Sequence, residues 1–60
     1  MSKVIEQLHA IVDHGPLWPG DTLSHEAASE CVSLGWAQRD EHGMFIATAK
    51  GEAVAAQERA

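Results

Sequence analysis

Cys31 is the only cysteine in this 60-residue chain, so no internal disulfide can form. A lone thiol with no secretory signature fits a reducing compartment, and the expected location is cytoplasmic. Long apolar runs are missing as well, and nothing approaches the ~20 residues that a membrane span requires. The opening stretch, Met1-Ser2-Lys3-Val4-Ile5-Glu6-Gln7-Leu8, interrupts its apolar residues with charge and does not read as a signal peptide. No membrane partner is expected.

Basic side chains are scarce. Lys3, Arg39, Lys50 and Arg59 stand against nine carboxylates, a formal net charge of −5 with the histidines neutral. Affinity for nucleic acid comes largely from Lys and Arg neutralising phosphates, so charge disfavours such a partner without excluding a local patch. Metal-ligand spacing is also lacking: His9, His14, His25 and His42 show none of the short pairings of a zinc site, and no cofactor is expected. His9 and His42 read as solvent-facing. Sixty residues hardly supply the walls of a pocket, and an enzyme is not expected. Residues 1–60 are read as one domain. A chain of this size buries only about 60 % of its unfolded surface, so its stability is marginal.

The residues that are present divide the chain by period. Ser2 is placed to cap a helix in which Val4, Ile5, Leu8, Ile11 and Val12 form one apolar face, with Lys3, Glu6, Gln7 and Asp13 largely opposite. That helix should stop at His14, where Gly15 offers a cap and Pro16 cannot continue the ladder. Two prolines and two glycines then make residues 15–22 a loop with room for no more than a single turn. Of Leu17 and Trp18 within it, at least one should tuck back onto the core. Trp18 either closes the core between two helices, the simpler role, or stands exposed as an anchor for a partner. Ser24 caps a second helix, with Leu23 able to pack on Ala28 as a hydrophobic staple. Ala27, Cys31 and Leu34 form one row of this helix, Ala28 and Val32 the adjacent row, and Gly35 closes it. Cys31 is expected there as a small buried hydrophobe.

After Gly35 the period changes. Residues 36–40 and 44–48 have strand-compatible content, and Glu41-His42-Gly43 between them is a three-residue connection with glycine set for positive φ. A β-hairpin over residues 36–48 follows, with Trp36 expected in the core. Met44, Phe45 and Ile46 are consecutive and cannot all face inward, so the hairpin should leave an apolar patch and an open edge. Thr48 caps a last helix whose only large apolar side chain is Val54. It should lie on the surface and fray after Gln57.

The run from Leu34 to Val54 resembles the end of a prokaryotic winged-helix domain. Leu34-Gly35 ends a helix, an apolar strand runs from Trp36-Ala37 to Arg39, and a turn containing Gly43 follows. The return strand carries Phe45, and Thr48-Ala49-Lys50-Gly51 opens the next helix. The resemblance covers about a third of the chain. It implies a small α+β fold ordered helix–loop–helix–β-hairpin–helix, a reduced winged helix. It departs from a full winged helix-turn-helix in having room for two helices before the hairpin rather than three. Its recognition-position helix carries Glu26 and Glu30 and no Lys or Arg, which is repulsive toward a phosphate-lined groove.

Two functional readings follow. The first is a small acidic protein-interaction module, self-associating or docking on a larger protein, with Trp18, Met44, Phe45 and Ile46 as contact candidates. Its style suits a phage or mobile-element accessory protein that modulates a host factor. The alternative is a transcriptional regulator that binds DNA as a winged-helix dimer, gathering Lys3, Arg39, Lys50 and Arg59 into patches that the monomer lacks.

Overall fold

The computed structural model describes residues 2–60: three α-helices and one two-stranded antiparallel sheet, an α+β fold. The order is α1 (Lys3–His14), a 3₁₀ turn (Pro19–Asp21), α2 (His25–Ser33), β1 (Ala37–Arg39), β2 (Phe45–Ala47) and α3 (Ala49–Arg59). Each α-helix begins on a hydroxyl cap. Ser2 Oγ accepts from Val4 N at 3.2 Å, Ser24 Oγ from Ala27 N at 3.0 Å, and Thr48 Oγ1 from Gly51 N at 3.0 Å. Each satisfies a donor that the first helical turn leaves without a partner.

The two glycines expected to end helices do so in different ways. Gly35 sits at φ 79°, and around it Trp36 N donates to Cys31 O and Gly35 N to Val32 O, the paired bonds of a Schellman cap. Gly15, in contrast, has φ −64° and ends α1 in extended backbone while donating to Ile11 O at 2.8 Å. What excludes a side chain there is space: a Cβ on Gly15 would overlap the Ile11 carbonyl.

Local chemistry fixes the hairpin. Gly43 N donates to Asp40 O, Gly43 takes φ 81°, and Asp40 Oδ1 accepts from His42 N at 2.8 Å and Met44 N at 2.9 Å. The register pairs Ala37 with Ala47, Gln38 with Ile46 and Arg39 with Phe45. Backbone bonds from Asp40 N to Met44 O and from Thr48 N to Trp36 O extend the pairing at both ends. Phe45 and Ala37 are buried, so Met44 and Ile46 lie on the opposite face, both half-buried. The expected open edge on β2 is covered at its first residue. Leu17 and Phe45 exchange backbone hydrogen bonds of 3.0 and 2.8 Å, making Leu17 a one-residue third strand.

The core consists of Leu8, Ile11, Ala28, Cys31, Ala37, Phe45 and Ala55, with Val4, Val12, Leu17, Trp36, Ala47 and Val54 packed around it. Several expectations are corrected by this packing. Gln7, expected on the polar side of α1, is fully buried. Val32, within α2, and Leu34, at its C-cap, are exposed, which leaves Ala27, Ala28 and Cys31 as the core face of the helix. Leu23 is exposed rather than stapled onto Ala28. The last helix is docked: Gly51 and Ala55 are buried, and the helix runs to Arg59 instead of fraying after Gln57.

Gly51 shows how closely α3 approaches the hairpin. A Cβ there would overlap the Trp36 carbonyl group, which already accepts from Thr48 N. In an exposed helical site, exchanging Gly for Ala adds about 1 kcal/mol of stability; here overpacking reverses the sign. Gly51→Ala is expected to destabilise the fold by about 3 kcal/mol. Ala53→Gly, at an exposed position of the same helix, should cost only ~1 kcal/mol. Denaturant midpoints at unchanged m-value measure both.

Candidate functional site

The side chains singled out from the sequence differ in exposure. Phe45 is buried, which removes it as a contact residue; its ring is covered from outside by the Arg39 guanidinium, 4.7 Å from the ring centroid. Met44 and Ile46 are half-buried beside it. Trp18 is different. It is 52 % exposed, so it does not close the core; Leu17, its neighbour, packs there instead.

Trp18 belongs to a segment fixed at both ends. On one side the Leu17–Phe45 backbone pair ties it to β2. On the other, the buried Gln7 Oε1 accepts from Leu23 N at 2.6 Å and from Ser24 N at 3.4 Å. Between these ties Asp21 N donates to Trp18 O at 2.9 Å, and Thr22 Oγ1 donates to Pro19 O at 3.0 Å. Leu23, 56 % exposed, stands at the far end of the same segment. Two large apolar side chains are thus held in solvent on backbone tied at both ends.

The four cations are dispersed. Lys3 is on the first turn of α1, Arg39 at the end of β1, and Lys50 and Arg59 at opposite ends of α3, about 13 Å apart along its axis. Arg59 is already engaged. Its two terminal nitrogens reach the two oxygens of Asp13 at 2.8 and 2.6 Å, closing the end of α3 onto the end of α1. Carboxylates, in contrast, are free on α2. Glu26 and Glu30, one turn apart, line a shallow cleft of about 360 Å³ with Lys3, Val4, Ser24 and Ala27. Among the described residues no ion pair joins Lys3 to either.

Cys31 is buried, and desolvation pushes its thiol pKa up, with the nearby Glu30 charge acting in the same direction. The thiol donates to Val4 O at 3.5 Å and ties α2 to α1. His42 is exposed, its Nε2 3.6 Å from a Glu41 oxygen. His9, expected in solvent, is half-buried, with its Nδ1 enclosed and without a hydrogen-bond partner. Among the described residues no three His, Cys, Asp or Glu side chains gather in the manner of a metal site. Nor is any described helix long and apolar enough to cross a membrane. Gln7 was the residue that sequence reasoning missed. Its signal was its place three residues after Val4 and four before Ile11, inside the apolar stripe.

Compared with protein-family models, curated proteins and solved structures, the chain matches none.

The Asp13–Arg59 pair sets a pH dependence. Hydrogen bonds from Arg59 hold the Asp13 carboxyl below the usual carboxylate range, and Asp13 in turn raises Arg59. A lowered folded-state pKa means that the unfolded chain binds the proton more readily. The pair therefore stabilises the fold above the ordinary Asp value near ~4 and loses that effect as pH falls through the lowered value. Asp13→Asn should be less stable than the parent chain at pH 6, by a small margin because the pair is exposed. Thermal melts across pH should show that margin closing below about pH 4.

Proposed function

We propose that this chain is a small protein-interaction module of reduced winged-helix architecture that docks a basic protein surface through the segment carrying Trp18 and Leu23. Support for the architecture comes from the helix–turn–helix–hairpin–helix order, with the single turn Pro19–Asp21 standing where a full winged helix-turn-helix has a further helix. In that arrangement α2 is the recognition-position helix. Its exposed Glu26 and Glu30 repel phosphates, and Arg59 is neutralised by Asp13, so the DNA-binding reading loses ground.

The observation that carries the proposal is Trp18, half in solvent on a segment tied at both ends. Tryptophan dominates the energetics of many protein interfaces. Presenting it on ordered backbone reduces the entropy lost on association. The charge argues for the kind of partner. Two copies at −5 each repel one another, whereas a surface rich in Lys and Arg is attracted by Asp21, Glu26 and Glu30. A phage or mobile-element accessory protein that modulates a host factor would use a surface of this kind.

Selection of a displayed random-peptide library on the immobilised chain tests the reading. Enriched peptides should pair Lys or Arg with apolar residues, and Trp18→Ala should weaken their binding by about 30-fold or more, the scale of an interface hot spot. Peptides held equally well by Trp18→Ala would overturn it. So would duplex DNA bound at ~20 mM salt, where phosphate contacts are strongest.

A further inference from the structure

We infer that Gln7 is a latch that sets the shape of the Trp18 segment and can be released without unfolding the core. The inference rests on the docking role given to Trp18, and deepens it by naming what holds that residue in place. Gln7 lies on the core-facing side of α1 and is fully buried. At such a position an apolar side chain would serve the core better, because the Gln7 Nε2 is enclosed without a hydrogen-bond partner. Its other amide atom acts on a distant part of the chain. Oε1 accepts from Leu23 N at 2.6 Å and Ser24 N at 3.4 Å, the two residues that close the Trp18 segment and open α2.

Apart from the start of α2, where Ser24 caps Ala27 N and its carbonyl accepts from Ala28 N, little else holds that end. Trp18, Pro19, Gly20, Asp21 and Leu23 are all exposed, so past Leu17 the segment contributes little apolar surface to the core. Its internal bonds, Asp21 N to Trp18 O and Thr22 Oγ1 to Pro19 O, shape the turn but do not attach it to the rest of the molecule. The attachments are therefore the Leu17–Phe45 pair at one end and the Gln7 oxygen at the other. The second is a single side chain, and loss of its acceptor frees Leu23 and Ser24 to be hydrated. A segment with few buried apolar contacts opens locally at low cost.

Gln7→Met tests this in the full chain. Methionine matches the length of glutamine, fills the site with apolar atoms and lacks both the acceptor and the enclosed donor. Amide hydrogen exchange at Leu23 and Ser24 should quicken at least tenfold, while Ile11 and Cys31 keep their protection and the denaturant midpoint is unchanged or raised. Unchanged exchange at those two amides in Gln7→Met would overturn the inference. So would uniform acceleration at every core amide with a lowered midpoint, which describes an ordinary core residue. Because exchange is read without a partner, the latch and the docking surface can fail independently.

Discussion

Phe45 ties the hairpin, the core and the loop between α1 and α2 together, through both backbone and ring. Its N–H and C=O go to Leu17, its side chain is buried in the core, and Arg39 covers the ring from the solvent side. These roles are compatible only in one register. In an antiparallel ladder, residues alternate between bonding their partner and facing away from it. Arg39 and Phe45 form a pair whose backbone groups face away, which leaves Phe45 free to bond Leu17. A slip of one residue would turn the ring outward and remove the attachment for the segment between α1 and α2. The turn at Asp40 and Gly43, by fixing the register, thus also fixes where Trp18 stands.

Around that centre, close approach substitutes for bulk. The core face of α2 is Ala27, Ala28 and Cys31, and α3 contributes Gly51 and Ala55. Such residues bury little area each, but they let helices approach the hairpin until a single added methyl would overlap backbone, as at Gly51. Sixty residues without a disulfide make a marginal fold, so individual caps worth about 1 kcal/mol each carry weight. Thr48 illustrates the concentration of roles. Its hydroxyl caps α3 through Gly51 N and donates to Gly35 O at 2.6 Å, joining the end of α2 to the start of α3.

What the sequence disclosed about the fold was what short-range chemistry decides. Ser2, Ser24 and Thr48 cap helices because each acts on a donor two or three residues ahead, and Gly43 takes positive φ because a three-residue hairpin loop demands it. Long-range choices were hidden. Gln7 bonds residues 16 and 17 positions away, and Asp13 meets Arg59 across 46 positions. Nothing local in Pro16-Leu17-Trp18-Pro19 tells which apolar side chain turns inward; the Leu17–Phe45 pair decides it, and adjacent residues on extended backbone point to opposite sides. The docked last helix was hidden for the same reason. Its alanines and glycine signal propensity in the sequence, and become packing residues only where another backbone comes within reach.

The distribution of charge bears on how such a surface would work. With Asp13 and Arg59 paired, eight carboxylates face three remaining cations, and one of those, Arg39, lies over an aromatic ring. The long-range field is therefore negative, while the apolar anchor Trp18 is local. In protein association these two features act on different quantities. Charge complementarity mainly speeds encounter and is screened beyond about 8 Å at physiological salt. Buried aromatic contacts mainly slow dissociation. Under the proposed docking role, one exposed tryptophan on a diffuse acidic surface would favour fast encounter with basic partners, with selectivity among them depending on who offers Trp18 a pocket. The ties at the ends of its segment then matter as much as its exposure, since with the latch closed the backbone around Trp18 has already lost on folding part of the ordering entropy that a free segment would lose on contact.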